Sequence, residues 1–161
     1  MMRGLVIVLT AALAVCGCSS IDCPVQNTVR TYYLLQSTGN KADTLRDTLT
    51  IRSKRADGKD TLLLDRLAQK TTFSLPVGYT TPEDIFVFNF KNNQYAAVDT
   101  VWVKKENYPH FESVDCSAAY FHQLTAIRST HNAIDSINII NPTVDYESQT
   151  VHFHLYLKKR N

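Results

Sequence analysis

The run Ile85-Phe86-Val87-Phe88-Asn89-Phe90 decides the fold class of this chain. Phe86, Phe88 and Phe90 recur at period two, so their side chains leave one face of an extended backbone, while Ile85 and Val87 partly cover the other. Asn92-Asn93 follows as a turn. Val98 to Lys104 then reads as a second strand, with Val101 and Val103 on one side and Thr100 and Trp102 opposite. Two neighbouring runs of period two, each with an apolar face, predict a β-sheet packed against another layer.

Working outward, the same punctuation recurs. On the N-terminal side, Thr72-Phe73-Ser74-Leu75 is a short strand stopped by Pro76. Asp47 to Ser53 alternates Leu49 and Ile51 with Thr48, Thr50 and Arg52. Asp57-Gly58 separates that run from Asp60 to Leu64, a hairpin signal because glycine supplies positive φ cheaply. Leu64, Leu67 and Ala68 have helical spacing but last about two turns, so Leu64 to Lys70 is expected to be a loop or a single helical turn. Val29 to Gln36 is the first strand, closed by Ser37-Thr38-Gly39-Asn40. On the C-terminal side, Phe111 to Ser129 fits a helix face nearly as well as a bent strand, and Val114, Thr125, Ile127 and Thr130 tilt the reading to strand. Ile134 to Ile140 and Thr150 to Lys158 complete the set. About nine short strands and little helix predict an all-β domain over residues 29–161, an immunoglobulin-like antiparallel β-sandwich. Asp-Thr-Leu/Val recurs at residues 43, 47, 60 and 99, but its irregular spacing excludes a solenoid and fits a turn feeding a strand.

The N-terminus has a different grammar. Arg3 is the one charge before Asp22, and Gly4 to Val15 is continuously apolar, too short to span a bilayer as a mature helix. Residues 1–17 are therefore expected to be a lipoprotein signal peptide. Cys18 is the expected acylated residue, with Val15 three positions before it and Gly17 adjacent. Cys16 competes, with Leu13 well placed but bulky Val15 adjacent. Acylation at Cys18 sends Cys16 away with the signal and leaves an even pair, Cys23 and Cys116, in an oxidising compartment. Residues 18–28 then form a short membrane tether. The formal charge of +2 becomes +1 once Arg3 is lost, so neither sign dominates and no nucleic-acid partner is expected.

A bridge between Cys23 and Cys116 would close a long loop, worth roughly 4 to 5 kcal/mol in the chain-entropy model; two buried free thiols are the rival reading. His152 and His154 lie two apart on a predicted strand, opposite Val151, Phe153 and Leu155. They are metal candidates only if a third ligand such as His122 or His131 crosses the sheet, and solvent-facing histidines are the expected outcome. Trp102 and Tyr108, with Tyr32, Tyr79, Tyr95 and Tyr120, could stack on a sugar, although a sandwich tryptophan is more often buried. There is no nucleophile elbow, His-Glu-x-x-His pair, phosphate loop or calcium loop. The expectation is a non-enzyme without a metal or other cofactor.

Cys23-Pro24, Phe73-Ser74-Leu75-Pro76-Val77, Asp99-Thr100-Val101-Trp102-Val103, Asp115-Cys116, Thr130-His131-Asn132-Ala133-Ile134-Asp135 and Asn141-Pro142-Thr143-Val144 together resemble uncharacterised small lipoproteins of Bacteroidetes bacteria, a domain-of-unknown-function family. The resemblance covers nearly the whole mature chain. It departs at Cys116-Ser117, where such proteins carry Cys-Gly. It implies export, lipidation (the palmitate type included) and a β-domain, and no activity. Ser19-Ser20-Ile21-Asp22 has one acid where surface-export signals of such bacteria carry a cluster, so the periplasmic face of the outer membrane is expected over the cell surface. The expected role is a module binding a protein or envelope partner close to the membrane, with glycan binding through exposed aromatics as the alternative.

Overall fold

A computed structural model of the protein describes Cys23 and residues 29–55, 57–146 and 150–159. Residues 1–17, Cys18 and the rest of the 18–28 tether apart from Cys23 lie outside the described residues. In chain order the strands are β1 (Arg30–Ser37), β2 (Lys41–Ala42), β3 (Thr48–Lys54), β4 (Thr61–Leu67), β5 (Thr72–Pro76), β6 (Glu83–Lys91), β7 (Ala96–His110), β8 (Ala119–Ser129), β9 (Ile134–Ile139), β10 (Thr143–Val144) and β11 (Phe153–Leu157). The described residues contain no helix, and the chain is all-β.

Two sheets share one core. The first runs β2-β1-β11-β9, with β5 also paired to β1; the second runs β10-β8-β7-β6-β3-β4. Phe86, Phe88 and Phe90 point into the space between the sheets and are buried. Across that space, the Tyr33 ring of β1 lies between Phe73 and Phe153, at 4.7 Å from each, and meets the edge of Phe88 at 6.2 Å. Aromatic pairs of this geometry add to the burial of their own area and tie β1, β5, β11 and β6 together.

Pairing is antiparallel with one exception that corrects the expected pattern. β1 and β11 run parallel, from Tyr33 opposite Phe153 to Gln36 opposite Tyr156. A parallel pair needs a long connection, and here almost the entire domain supplies it. The gain is continuity of the core, since Tyr33 and Leu35 lie beside Phe153 and Leu155 and all four are buried.

The Asp57-Gly58 turn joins β3 to β4 as expected, with Gly58 at φ +74° and Asp57 Oδ1 accepting the Lys59 N–H at 3.0 Å. The loop or helical turn expected over Leu64–Lys70 is instead strand as far as Leu67. Its misleading spacing has a physical cause: Leu64 pairs with Ile51 and Leu67 with Leu49, so β4 carries an extra residue between them. The bulge lets residues three apart share one face. Arg66 takes the strain at φ +46°, and its N–H is donated to Thr50 Oγ1 at 3.2 Å. These irregularities also bend the exposed edge of the second sheet, as natural edge strands commonly do.

β7 is longer than the predicted Val98–Lys104. It pairs with β6 from Ala96 to Lys104 and with β8 from Val101 to His110. Past Lys104 it has left β6, so Pro109 sits where one edge of the strand needs no ladder bond. The Phe111–Ser129 segment resolves into a loop, 111–118, followed by β8. Pairing to β7 satisfies the β8 backbone and decides the helix-or-strand ambiguity. Trp102 is not a core tryptophan. It lies half-buried on the outer face of β7, with the Arg128 guanidinium 3.9 Å above its ring.

Candidate functional site

The two ends of the domain differ in character. At one end are the 38–40, 92–95 and 130–133 turns. At the other are the β3–β4 hairpin, the 77–82 segment and the 111–118 loop, which carries Cys116. Cys23 and Cys116 form a disulfide with Cα atoms 5.5 Å apart, closing a separation of 93 residues. The bridge fastens the N-terminal segment to the tip of the β7–β8 hairpin.

A buried polar network underlies this end. The register that puts Val101 and Val103 inside also carries Lys105 and Asn107 inward. Lys105 has no exposed side-chain surface; its Nζ lies 3.0 Å from Asp84 Oδ2 and donates to Thr81 O at 3.1 Å. The same carboxylate oxygen accepts the Gly78 N–H at 3.1 Å, and a Cβ on Gly78 would come 2.8 Å from Asp84 Oδ1, so no larger residue fits there unshifted. Burial raises the Asp84 pKa, and the Lys105 ammonium acts against that rise. Asn107 Nδ2 donates to Tyr79 O and Thr81 O, which leaves its Oδ1 to accept from His122 Nδ1 at 2.7 Å. Burial, with the Lys105 charge beside it, pushes the His122 pKa down to about 4. The ring is thus neutral at physiological pH. Lysine, aspartate, asparagine and histidine are the parts of an acid–base site, but these bonds have a common product, a 77–82 segment clamped to β7.

Aromatic side chains surround the clamp. Tyr79 stacks face to face on Tyr120 at 4.5 Å. On the outer face of the hairpin His110 stacks on Phe121 at 4.3 Å, and Tyr146 meets the Phe121 edge at 5.0 Å. Tyr108 hydrogen-bonds Glu106. Of seven large exposed apolar or aromatic residues among those described, Tyr79, Tyr108, Phe111, Val114 and Ile140 lie at this end. Such clustering marks an interaction surface more than single exposed residues do.

The residues singled out from sequence are mostly elsewhere. His152 does not face solvent; it is fully buried. Its Nδ1 accepts the Tyr32 N–H at 3.1 Å, so the ring proton sits on Nε2, which reaches Thr143 O at 3.1 Å. Both nitrogens are occupied in joining β1 to β10. His154 Nε2 accepts from Gln36 Nε2 at 3.3 Å, and Gln36 Oε1 accepts from Tyr156 at 2.7 Å. His131 lies at the opposite end, with Nδ1 against Asp135 O. Among the described residues no three His, Cys, Asp or Glu side chains converge to hold a metal ion. Trp102 and Tyr108 share the outer face of β7 but are six residues, about 20 Å, apart and form no joint platform. Tyr32 stacks on His152, and Tyr95 packs partly on the core.

At the far end an open groove of about 770 Å³ lies between Arg46, Arg66, Lys91 and the side chains of Gln69, Asn93 and Gln94. Arg46 pairs with Asp43 at 3.3 Å and Arg66 with Asp65 at 3.6 Å, both at the surface. Lys105, Asp84, Asn107, Phe111 and Val114 carry the disulfide-linked end and were not singled out from sequence. The available signal was the β7 alternation itself: extended one step beyond Lys104, it turns Lys105 inward.

A family model described as a family of unknown function (DUF6452) matches residues 55–157, from the β3–β4 hairpin through β11. No curated protein and no solved structure matches the chain.

Proposed function

The chain belongs to the DUF6452 family of unknown function, and we propose that it is a cell-envelope lipoprotein: a non-enzymatic, immunoglobulin-like β-sandwich that binds a protein partner close to the membrane. In this reading residues 1–17 are removed as a signal peptide and Cys18 is acylated, Cys16 leaving with the signal. The protein is held at the outer membrane, on its periplasmic face. One observation carries the proposal. The end of the domain fastened by Cys23–Cys116 to the N-terminal segment is also the end where exposed apolar and aromatic side chains gather. Anchor and contact surface thus coincide, and the partner binds through exposed side chains of this end, Tyr79 and Tyr108 among them.

A photo-crosslinker at Tyr79 or Tyr108 in producing cells tests this, with Val98 at the far end as control. A reproducible protein adduct from the first two positions and none from Val98 is expected. Adducts from Val98 alone would overturn the assignment of the surface. Mass spectrometry of the mature N-terminus tests the anchor, with acyl chains on residue 18 as the expected result.

Glycan binding remains as a second reading because Tyr79 is 55% exposed while one face of its ring is backed by Tyr120. A ring held flat from behind is a preorganised stacking surface. Saturation of the Tyr79 ring protons by an oligosaccharide in NMR would favour it over a protein partner.

A further inference from the structure

We propose that the exposed apolar residues of the 111–118 loop, Phe111 at its base and Val114 near its apex, form a membrane-contacting wedge that seats in the headgroup region of the bilayer carrying the anchor. The proposal rests on the lipoprotein reading above and adds to it which residues touch lipid and how the domain is oriented.

The local geometry is unusual for a turn. Cys116 N–H donates to Ser113 O at 3.2 Å and Asp115 N–H to Ser113 Oγ at 3.4 Å, so residues 113–116 form a tight turn with Val114 near its apex. Turn apices ordinarily carry Gly, Asn, Asp, Ser or Pro, each for a backbone reason. A β-branched apolar residue there does nothing for the turn. Val114 is 98% exposed and Phe111, at the base of the same loop, 61%. Among the described residues Val114 is left almost wholly uncovered and Phe111 only partly covered, and the disulfide at Cys116 fastens the turn to Cys23.

The tether says what lies opposite. Cys18 and Cys23 are five residues apart, a reach of under roughly 20 Å even when fully extended. The bridge then places Cys116 5.5 Å from Cys23 between Cα atoms, and Val114 is two residues further on. An acylated Cys18 sits at the level of the headgroups, so the loop tip lies within about 30 Å of that plane. The two exposed apolar side chains lie in the loop that the bridge joins to the tether, and in this proposal that end of the domain faces the membrane. Charge completes the description of the surface. The loop carries Glu112 and Asp115, with Glu112 paired to His110 at 3.1 Å, so attraction to anionic lipid contributes nothing and the contact is apolar. Partial insertion of two side chains adds little to the grip of an acyl anchor; its effect is to fix the orientation of the domain.

The test uses the full acylated protein, purified from producing membranes and reconstituted into phosphatidylcholine vesicles. In a Trp102→Phe background, single tryptophans are placed by Val114→Trp, Phe111→Trp and, at the far end, Asn93→Trp. Val114 and Phe111 are exposed, so folding is unaffected, and two positions guard against one being uninformative. Lipids spin-labelled near the headgroup are expected to quench the tryptophans at 114 and 111 at least about twofold more strongly than the one at 93, with the reverse order for acrylamide in the water phase. Equal acrylamide access at all three positions in a protein shown by mass to be acylated would overturn the wedge and leave the anchor standing. Absence of acyl mass on the N-terminal peptide, at Cys18 and at Cys16 alike, would overturn the anchor, and the wedge with it.

Discussion

Lys105 Nζ lies 3.0 Å from Asp84 Oδ2, with the lysine side chain wholly buried and the aspartate 12% exposed. A charge pair this far from water is held by its partners, and the asymmetry between breaking and replacing it is large. Lys105→Met alone, or Asp84→Leu alone, should lower stability by about 3–5 kcal/mol, because each strands the other group. Lys105→Met combined with Asp84→Leu should recover much of that loss. Urea unfolding of the four proteins as a double-mutant cycle measures the coupling, and simple additivity would show that the two groups act independently.

His122 sets an acid limit. Its folded pKa is about 4 against an ordinary 6.5. Between those values the unfolded chain holds a proton that the folded chain refuses, so stability contributed by the neutral ring falls as pH drops from 6.5 toward 4. The charged groups facing it are Lys105, which favours the neutral ring, and through Lys105 the Asp84 carboxyl. The Asp84 pKa is raised, so on acidification it works in the opposite sense. The His122→Asn variant retains a donor toward Asn107 and removes the titration. Its stability should fall less steeply over that pH range than that of the parent, as read from denaturation midpoints at successive pH values.

Asp99 is wholly buried in β7 and holds the β8–β9 turn. Oδ1 accepts from Thr130 Oγ1 and Asn132 N at 2.7 and 2.6 Å, and Oδ2 from Ala133 N and Ile134 N at 2.7 and 2.9 Å. Burial alone would raise its pKa, but the four donors outweigh burial and lower it. An acid with a depressed pKa contributes stability that is present above its unfolded value and lost as pH falls through the folded one. That loss therefore begins below about pH 4. Asp99→Asn turns one acceptor into a donor aimed at other donors and should cost about 3 kcal/mol at pH 7. The difference between variant and parent should shrink in acid, which calorimetry at pH 7 and pH 3 would record.

Tyr33 makes the opposite prediction. Its ring is central to the core, yet its buried hydroxyl has no hydrogen-bond partner among the described residues. Leaving a buried hydroxyl unpaired costs about 1–3 kcal/mol. Tyr33→Phe keeps the stacking on Phe73 and Phe153 and should be at least as stable as the parent, by about 1 kcal/mol. A marked drop in the thermal midpoint would mean that the hydroxyl is satisfied after all.

Much of this protein was determined by the sequence alone, because local period and turn chemistry are written in adjacent residues. Phe86, Phe88 and Phe90 dictated a buried strand whatever surrounded them, Asp57-Gly58 dictated the β3–β4 turn, and Cys23 and Cys116 were the pair available to bridge. What only the tertiary structure decided depends on partners distant in the chain. Leu64 and Leu67 look helical until the pairing of β4 with β3 shows that a bulge puts them on one face. β1 meets β11 in parallel across nearly the whole chain, a relation no local window contains. His152 could be a surface residue by alternation, and becomes a buried hinge between β1 and β10 once Tyr32 N–H needs an acceptor. Asp99 reads as a turn residue at the start of a strand, whereas it serves a turn 31 to 35 residues further on. The proposed contact surface belongs to this second class. Phe111 and Val114 gain their place in it from the disulfide, which joins their loop to Cys23 across 93 residues.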